Sequence, residues 1–540
     1  MRDLVRQAEE WLAQDPDPET GEELAKILDS GDLAELESRF GAKLEFGTAG
    51  LRGELGAGPG RMNRVTVMRA AAGLAAVLGP GGHVVIGYDA RHNSEVFAHD
   101  SAAVLAGAGL RVSVLPRPLP TPVLAFAVRH LGADAGVTVT ASHNPPRDNG
   151  YKVYWGDGSQ IVPPVDGEIS AAIDAVGPVG ELPRGPWATL GEDVVHAYLA
   201  AVTALPLGED RELRVAYTPL HGVGAATLAA AFERAGFAAP EMVAAQAEPD
   251  PDFPTVPFPN PEEPGAMDLA LGLAARIGAD IVLANDPDAD RCAVGVPTPD
   301  GFRMLTGDEL GGLLAEHVLT HTSDPSRLVA TTIVSSSLLA GIAAAHGARY
   351  AETLTGFKWI MRAGEGLVYG YEEALGYSVG SGQGLPVRDK DGIGAALTVA
   401  ALAATAKRAG RTLLDLLDDQ ARRYGLHATS QLSVRVADLS LIDGAMRRLR
   451  EAPPASLGGR AVESADDLAA GSAGLPPTDA LRYTLSGRAR VVVRPSGTEP
   501  KLKCYLEVVV PVTGDVADAR AEAARALAAV TEDLSAVLAL

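Results

Sequence analysis

The chain has 540 residues, of which 47% are hydrophobic, so it can form several domains with buried cores and is not a disordered tail. Lys and Arg total 46 against 69 Asp and Glu, which gives a formal net charge of −23. A chain this acidic is expected to repel nucleic acid and anionic membrane surfaces, so neither is predicted as a partner.

Cysteine use and the opening residues indicate a soluble cytoplasmic protein. Cys292 and Cys504 lie far apart without metal-ligand spacing, which favours two buried, reduced thiols. The first residues do not show the pattern of a signal peptide, and the uncharged, Ala- and Gly-rich run at residues 392–406 is short for a membrane span.

The first 40 residues predict an acidic helical extension with one apolar face. That face would pack on the rest of the chain or mediate a dimer, and the sequence leaves both open, so a monomer or a homodimer is expected. Its members are Leu4, Val5, Ala8, Trp11 and Leu12.

A unit of strand, loop, Ala-rich helix, glycine and strand then recurs three times. The first strands are predicted at 84–88, 213–217 and 328–334. A glycine after each helix suits the left-handed conformation found at helix ends. Three such βαβ units indicate three similar α/β domains with mixed, largely parallel sheets, although chance likeness among ordinary βαβ units is an alternative.

The C-terminal part differs, because residues 488–494 and 501–510 predict two antiparallel strands and an acid- and Ala-rich helix follows. Residues 450–459 predict an exposed loop. The fold class is therefore α/β, with three similar α/β domains and a C-terminal α+β domain. The predicted segments are the extension 1–40 and the domains 41–207, 208–304, 305–425 and 426–540.

The motif NDPDADR follows the apolar run ADIVLA, so its acids lie at the C-terminal end of a predicted buried strand. Three carboxylates that converge would repel unless a cation lies among them, and all-oxygen ligands suit Mg²⁺. A calcium-binding EF-hand loop needs Gly and Glu where this chain has Arg291 and Pro297. A solvated acidic turn is the alternative. The candidate ligands are Asp286, Asp288 and Asp290.

The motif RPSGTEP combines a guanidinium, two hydroxyls and glycine-freed N–H groups, which together make a phosphate cradle. An ordinary hairpin turn is the alternative, since Pro-Ser-Gly is turn chemistry anyway. The cradle candidates are Arg494, Ser496, Gly497, Thr498 and Lys503.

The stretch YGYEEALGY places Glu372 and Glu373 after a short apolar strand, where paired carboxylates can accept hydrogen bonds from vicinal sugar hydroxyls. A surface acid pair is the alternative. The segments TGFKW (355–359) and VRDKDG (387–392) flank this stretch and supply Lys358 and Lys390 as candidate cations.

Ser142 lies just past the predicted strand AGVTVT, in the stretch TASHNPPRDNGYKVY. A serine hydroxyl is a weak nucleophile unless a neighbour takes its proton or stabilises its product. If Ser142 carried a phosphoryl group, Mg²⁺ on the acidic motif would stabilise that product, and Ser142 would itself become a metal ligand. His143 and Lys152 would lie near the transferred group. A turn with a helix-capping serine is the alternative.

Taken together, these stretches resemble the α-D-phosphohexomutase superfamily, the phosphoglucomutases and phosphomannomutases. The likeness covers about residues 41–510 and keeps the family's order: FGTAGLRG, TASHNP, DPDADR, the sugar loop and RPSGTEP. GYDARHNS, DNGYKVYW and TPLHGVG look more like the branch of bacterial phosphoglucomutases and animal phosphopentomutases.

The resemblance implies four domains around a central cleft and a role for each motif. Ser142 would carry the phosphoryl group beside a Mg²⁺ held by the three aspartates. Arg52 and Lys152 would contact the phosphoserine region, and His143 and Lys390 would be acid/base candidates. The implied substrate-binding residues are Glu372, Glu373, Arg291, Thr355, Gly356, Arg494, Ser496, Gly497, Thr498 and Lys503.

The expected reaction interconverts a sugar 1-phosphate and 6-phosphate, with glucose as the expected sugar and a sugar 1,6-bisphosphate as intermediate and activator. Many family members have Glu-x-Ser in the sugar loop, where this chain has Glu372-Glu373-Ala374, so mannose and pentose phosphates stay open. A bisphosphate synthase or a phosphatase that uses the same serine is the enzymatic alternative. A non-catalytic sugar-phosphate sensor would need a broken site, and Ser142 and the three aspartates are all present.

Overall fold

The computed structural model describes residues 2–436, 438–472, 474–496 and 501–538, and of Leu439 only the backbone. Gly497 and Thr498 of the predicted phosphate cradle therefore lie outside the described residues. The chain divides into two compact units. Unit 1 comprises residues 1–305, 376–380 and 385–405, and unit 2 comprises residues 306–375, 381–384 and 406–540.

Three short helices form the N-terminal extension. Asp17 and Asp32 cap the second and third helices by accepting hydrogen bonds from main-chain N–H groups. Ala8 and Trp11 are buried in the same hydrophobic core as the first sheet of unit 1, so the apolar face of the extension packs on that unit. The helices are α1 (Arg2–Leu12), α2 (Pro18–Ser30) and α3 (Leu33–Phe40).

The first sheet of unit 1 has six strands in the order β1-β5-β4-β2-β3-β6. Strand β2 runs parallel to β3 and β4, whereas β5 is antiparallel to both β4 and β1. The elements are β1 (Leu51–Glu54), α4 (Arg64–Leu78), β2 (His83–Tyr88), α5 (Ser94–Gly107), β3 (Arg111–Val114), α6 (Thr121–His130), β4 (Ala135–Val139), β5 (Asp148–Trp155), α7 (Val165–Asp174), a 3₁₀ turn (Val179–Glu181), β6 (Ala188–Thr189) and α8 (Asp193–Thr203).

The second sheet of unit 1 has the order β11-β10-β9-β7-β8. Strand β7 is parallel to β8 and β9, and β10 is antiparallel to β9 and β11. The elements are β7 (Val215–Thr218), α9 (Gly224–Arg234), β8 (Glu241–Met242), a 3₁₀ turn (Ala244–Gln246), α10 (Asp268–Ile277), β9 (Ile281–Ala284), β10 (Ala293–Thr298) and β11 (Gly301–Met304).

The first sheet of unit 2 contains the parallel strands β13-β12-β14, so their C-terminal ends share one edge. Strand β15 and most of helix α14 belong to unit 1. The elements are α11 (Gly307–Thr320), β12 (Leu328–Thr332), α12 (Leu338–Ala345), β13 (Arg349–Thr353), α13 (Phe357–Ile360), β14 (Leu367–Glu372), β15 (Gly376–Val379), α14 (Gly392–Arg408) and α15 (Leu413–Tyr424).

The C-terminal sheet is antiparallel throughout, in the order β16-β21-β20-β19-β18-β17, and helix α17 packs on it. The elements are β16 (Leu426–Arg435), α16 (Leu439–Glu451), β17 (Ser456–Leu457), β18 (Arg460–Asp467), a 3₁₀ turn (Leu468–Ala470), β19 (Leu481–Leu485), β20 (Ala489–Pro495), β21 (Lys501–Val510) and α17 (Val516–Leu538).

These sheets confirm the predicted fold class: three α/β domains and a C-terminal domain of sheet plus helices. The glycines that follow the three recurring helices have the expected left-handed backbone, with φ of 90° at Gly109, 84° at Gly236 and 62° at Gly347. The segment 450–459 is less loop-like than predicted, because it contains β17 and buries Leu457 in the C-terminal core. The domain limits and the central cleft stay predictions.

Both cysteines are free and buried, as the sequence predicts. Among the described helices, none is both long enough and apolar enough to span a bilayer.

Candidate active site

Three aspartates converge at the C-terminal end of strand β9. The strand is fully buried, and the chain turns immediately after it, with Ala289 in a left-handed conformation (φ 53°). This turn brings one carboxylate oxygen from each of Asp286, Asp288 and Asp290 to within 4.8 Å of the others. All three side chains are completely buried, so their negative charges are not screened by water.

Ser142 lies against this cluster. It follows strand β4 and has a left-handed backbone (φ 53°), which is strained for a residue with a side chain. Its Oγ donates a hydrogen bond to Oδ2 of Asp286 at 2.8 Å and lies 3.1 Å from Nδ1 of His143. The serine hydroxyl, the imidazole and the acidic cluster therefore form one local site within unit 1.

The donor set fits a divalent cation. Within the described residues, Oδ1 of Asp288 and Oδ1 of Asp290 are buried without a hydrogen-bond partner. An orphaned, buried carboxylate oxygen costs free energy that a metal ion would recover. Three such carboxylates offer the all-oxygen ligation that Mg²⁺ prefers.

Two lysines from distant parts of the sequence reach the same carboxylates. Lys152 Nζ donates to Oδ2 of Asp288 (2.8 Å) and of Asp290 (3.1 Å), and Lys390 Nζ lies 3.4 Å from Oδ2 of Asp290. Burial by itself would raise the pKa of Asp290, but Lys152, Lys390 and Arg291 outweigh it and hold that pKa below its usual range. Asp290 is thus an ionised carboxylate.

The other titratable groups of the cluster shift for identifiable reasons. Burial raises the pKa of Asp286 well above its usual range, and the charges of Asp288 and Asp290 raise it further. Burial lowers the pKa of His143 well below its usual range, and the cations Arg291 and Arg52 add to this.

The two predicted arginines border this site. Arg52 on β1 donates from Nη1 to the side-chain oxygen of Asn144 (3.1 Å), two residues beyond Ser142. The main-chain N–H of Arg291 donates to Oδ1 of Asp286 (3.0 Å), and its guanidinium pairs with Glu262 at 3.4 Å. Arg52 thus lies beside the loop that carries Ser142, and Arg291 lies within the acidic loop.

Arg91 is a residue that the sequence reasoning missed. Its guanidinium is buried and donates to the main-chain oxygens of Ser142 (2.6 Å), Asn144 (2.6 Å), Pro145 (2.8 Å) and Asp148 (3.1 Å). It therefore holds the Ser142 loop, residues 142–148, in shape. The signal was the stretch GYDARHNS, since Arg91 follows β2, and the C-terminal ends of parallel strands are where α/β sheets place functional groups.

A second missed contact fixes the start of the same loop. The Thr140 hydroxyl accepts a hydrogen bond from the Ser142 N–H (2.9 Å) and donates to Oδ2 of the buried Asp89 (2.6 Å). Asp89 also accepts from Ser94 (2.6 Å) at the start of helix α5. The strained backbone of Ser142 is thus maintained by neighbouring strands and a helix.

The loop that carries Lys390 is also positioned from a distance. The hydroxyl of Tyr154 donates to Oδ2 of Asp389 (2.8 Å), and the Gly392 N–H donates to the main-chain oxygen of Ala289 (3.2 Å). A Cβ at Gly392 would lie 2.2 Å from the main-chain oxygen of Arg291. Only glycine lets this loop approach the acidic loop so closely.

In unit 2, the predicted sugar loop begins where strand β14 ends, at Glu372. Oε2 of Glu373 accepts a hydrogen bond from the Ser335 hydroxyl at 3.1 Å. Burial raises the pKa of Glu373 to about 7, and the neighbouring carboxylates of Glu372 and Asp308 contribute. Glu373 therefore titrates near neutral pH.

The described part of the phosphate cradle lies on the β20–β21 hairpin. Lys503 lies directly across the ladder from Arg494, and the Ser496 N–H donates to the main-chain oxygen of Lys501 (2.8 Å), which leaves its hydroxyl as the group it can offer. The side chain of Arg494 lies close enough to Tyr505 to oppose the rise in the pKa of the Tyr505 hydroxyl.

Tyr505 connects the cradle with the sugar loop, and the sequence reasoning missed it. Burial raises the pKa of its hydroxyl, the charges of Glu373 and Glu372 raise it further, and Arg494 opposes them. Glu373, Glu372 and Arg494 are therefore each within electrostatic reach of the Tyr505 hydroxyl inside unit 2.

Thr355 and Gly356 follow strand β13, at the same sheet edge as the end of β14. Gly356 has a φ of 109° and starts helix α13. Strand order places both residues at the sheet edge that also carries the start of the sugar loop.

Comparison with known protein families accounts for nearly the whole chain. Family models of phosphoglucomutase/phosphomannomutase match in order, as alpha/beta/alpha domains I, II and III and the C-terminal domain. The matched residues are 43–178, 196–300, 306–424 and 434–523.

Individual relatives carry different sugar names. A Haemophilus influenzae protein named "Probable phosphomannomutase" is 44% identical, covering 83% of this chain and 93% of its own length. The Mus musculus phosphopentomutase is 35% identical, covering 94% and 90%. A solved structure of a phosphoglucomutase/phosphomannomutase family protein from Burkholderia thailandensis has the same fold, with a TM-score of 0.68 at 21% identity over 91% of this chain and 97% of that one.

Proposed function

Because the chain belongs to the phosphoglucomutase/phosphomannomutase family, and is thus an enzyme of the phosphotransferase and mutase type, we propose that it interconverts the 1- and 6-phosphates of a hexose, with glucose as the expected sugar. Phosphomannomutase and phosphopentomutase activities are the alternatives within the same chemistry, and the names of the relatives support both. A sugar-bisphosphate synthase that uses the same serine is the other alternative.

The observation that carries this proposal is the contact between Ser142 and the acidic cluster. A strained serine whose hydroxyl lies 2.8 Å from one of three fully buried aspartates is arranged to carry a charged group that a cation must neutralise. A phosphoryl group is such a group, since transfer depends on positioning and charge neutralisation.

Asp286, Asp288 and Asp290 would hold Mg²⁺. When bound, the ion supplies neutralisation of charge on the phosphoryl oxygens.

In the proposed transfer, the protein's own side chains move the protons and hold the phosphoryl oxygens. As the sugar hydroxyl bonds to phosphorus, the bond between phosphorus and Ser142 Oγ breaks, one acid/base group accepts the sugar's proton, and a second gives a proton to the released serine oxygen; the return transfer restores both groups. His143, with Nδ1 3.1 Å from that oxygen, is the proposed group on the serine side. Lys390 is the proposed partner on the sugar side. Lys152 and Arg52 would hold the phosphoryl oxygens.

The resulting bisphosphate returns its other phosphate to Ser142, which completes the mutase cycle. The same bisphosphate, supplied in trace, would prime an unphosphorylated enzyme. Conservation of organic phosphate follows only if water is kept from the phosphoserine.

In unit 2, Glu372 and Glu373 would accept hydrogen bonds from sugar hydroxyls, with Thr355 and Gly356 beside them. Arg494, Ser496 and Lys503, together with Gly497 and Thr498, would bind the phosphate that is not reacting.

The test is a comparison of kcat/KM on glucose 1-phosphate, mannose 1-phosphate and ribose 1-phosphate with a trace of glucose 1,6-bisphosphate. The highest value is expected for glucose 1-phosphate, with total organic phosphate unchanged. A higher value for mannose or ribose would correct the sugar only. Release of inorganic phosphate would indicate a phosphatase, and net bisphosphate made from a separate donor would indicate a synthase.

Ser142→Ala tests the carrier directly. It should abolish turnover and the phosphate found on the protein by mass spectrometry. The matched control is Ser101→Ala, because Ser101 is also buried but its hydroxyl donates to the main-chain oxygen of Phe97 within helix α5 (2.7 Å). Full turnover by Ser142→Ala would refute the proposal.

A further inference from the structure

A loop of three consecutive serines, Ser335–Ser337, follows strand β12 in unit 2. The proposed chemistry gives it no role, yet all three serines bind acidic side chains, of which Asp308 and Glu507 are buried and Glu373 is half-buried. Glu373 binds the first, Asp308 and Glu507 the second, and Glu507 the third. This serine loop thus joins the sugar loop to the C-terminal sheet.

On the sugar-loop side, Ser335 holds Glu373 at two points. Its hydroxyl donates to Oε2 of Glu373 (3.1 Å) and accepts from the Glu373 N–H (3.3 Å). The Thr332 hydroxyl lies 2.9 Å from the same Oγ. The Ser335 side chain is 1% exposed, so water does not replace these contacts.

On the other side, Arg490 of strand β20 holds Ser335 by its main chain. Nη2 of Arg490 donates to the Ser335 carbonyl oxygen and lies 3.1 Å from Oε2 of Glu507. Nη1 donates to Oε1 of Glu352 (3.1 Å). The guanidinium is therefore fixed by two carboxylates while it holds the serine loop.

Glu507, the carboxylate that pairs with Arg490, is itself fixed by hydrogen bonds. Oε1 of Glu507 accepts from the Ser336 hydroxyl (2.7 Å) and the Ser337 N–H (2.8 Å). Burial would raise the pKa of Glu507, but hydrogen bonding to His427 and the charge of Arg490 outweigh it and lower that pKa to about 2. Glu507 stays ionised, so the ion pair persists at any working pH.

Strand geometry links this contact to the phosphate cradle. Arg490, Val492 and Arg494 are alternate residues of β20 and project from the same face. Val492 packs with Ile333 and Val334, which immediately precede the serine loop. One strand face thus carries both the cradle arginine and the arginine that holds Ser335.

We propose that Ser335 and Arg490 are positioning residues for the sugar: Arg490 fixes the serine loop, and Ser335 fixes the Glu373 carboxylate that receives the sugar hydroxyls. The proposal rests on the proposed function for the identity of the ligand, but the contacts it invokes lie entirely within unit 2.

The kinetic test uses Ser335→Ala and Arg490→Lys, with Arg482→Lys as the matched control. Arg482 binds the same Glu352 at 2.9 Å but has no described hydrogen bond with Ser335. Both test variants should raise KM for glucose 1-phosphate about tenfold, the order expected for one hydrogen bond to a charged group, and change kcat much less. The control should stay within about twofold of wild type.

The double variant Ser335→Ala/Arg490→Lys shows whether Arg490 affects KM through Ser335 or independently of it. If Arg490 acts through Ser335, the double variant should have the KM of the weaker-binding single variant. Multiplicative effects, or an Arg490→Lys effect no larger than that of Arg482→Lys, would overturn the proposal.

A titration of the Glu373 carboxyl tests its contact with Ser335 without any measurement of turnover. Glu373 is faced by Glu372 on its own loop, Asp308 at the start of α11, the Ser335 hydroxyl and Tyr505 on β21. Loss of the Ser335 hydroxyl should move the Glu373 titration, followed by ¹³C NMR of the side-chain carboxyl with Glu373→Gln for assignment, to higher pH by about half to one unit. An unmoved titration in Ser335→Ala would refute the contact.

The two proposals fail in distinguishable ways. An inactive wild-type enzyme with no phosphate on Ser142 would reject the proposed function, whereas the titration would still confirm or refute the positioning of Glu373. An active wild type with unaffected variants would reject the positioning alone.

Discussion

Replacement of Arg91 by lysine tests how strictly the Ser142 loop must be held in its conformation. The Arg91 guanidinium donates to four main-chain oxygens between Ser142 and Asp148, and it also pairs with Asp89 at 3.5 Å and lies over the Phe253 ring. Lysine keeps the positive charge but offers a single nitrogen, which cannot reproduce the two-nitrogen fork of the guanidinium. The substitution therefore removes part of the hydrogen-bond geometry at the Ser142 loop while it retains the positive charge.

The magnitude follows from the contacts. A lysine nitrogen can serve about two of the four carbonyls, so two hydrogen bonds to a charged donor are lost, at about 1.5 kcal/mol each. The free energy of unfolding should fall by about 3 kcal/mol, less whatever water recovers. A shift of about 1 Å in the reacting oxygen of Ser142 costs on the order of 100-fold in rate. We expect kcat/KM to fall by about this factor.

The assay pairs kcat/KM with the rate at which glucose 1,6-bisphosphate phosphorylates Ser142, followed by intact mass, and with urea unfolding. Arg64→Lys is the control, because Arg64 makes a comparable bidentate contact with Asp100 (2.6 and 2.9 Å) in the same domain. It should lose stability while kcat/KM stays within about threefold of wild type. Equal losses of activity in the two variants would refute a specific role for Arg91.

Three further outcomes are expected. Asp288→Asn should melt lower than wild type in chelator, because it removes a buried carboxylate that Lys152 Nζ contacts at 2.8 Å, and it should also lose the Mg²⁺-dependent rise in Tm, which for wild type corresponds to about 2.7 kcal/mol at 100 times Kd. An undiminished rise would refute the metal role. Burial and nearby carboxylates raise the pKa of Glu373 from 4.5 to about 7, so its ionisation destabilises the fold as pH rises through that window. By urea unfolding, Glu373→Gln should therefore match wild type near pH 4 and exceed it by about 3 kcal/mol near pH 8, and a constant difference would contradict this. Gly392→Ala should push the acidic loop away, because its Cβ would lie 2.2 Å from the main-chain oxygen of Arg291. Calorimetry should therefore show weaker Mg²⁺ binding. Gly167→Ala, with open space around its Cβ, should leave that binding unchanged.

Local chemistry made the acidic loop predictable. An apolar strand followed by alternating acids requires only the strand and the turn after it, both of which lie within a few consecutive residues. The structure has that strand as β9 and brings the three carboxylates within 4.8 Å. The left-handed Ala289 that makes the turn tight was not predictable, because alanine does not favour that conformation.

Residues that act on the chain at a distance were harder to identify. Arg91 lies 51 residues before Ser142, and only the pairing of β2 with β4 brings them together. The sequence marked GYDARHNS as a likeness without assigning its arginine a task. The serine loop likewise looked like an ordinary connection in the third βαβ unit, since its partners Arg490 and Glu507 lie in another domain.

The sequence by itself determined the fold class, the order of the motifs and the types of group they offer, because strands, turns and side-chain chemistry are properties of short stretches. Only the tertiary structure decided which lysines reach the aspartates, which arginine holds the Ser142 loop and which serine holds Glu373. Those contacts depend on strand order and on approaches between loops up to 100 residues apart, and no local pattern encodes such approaches.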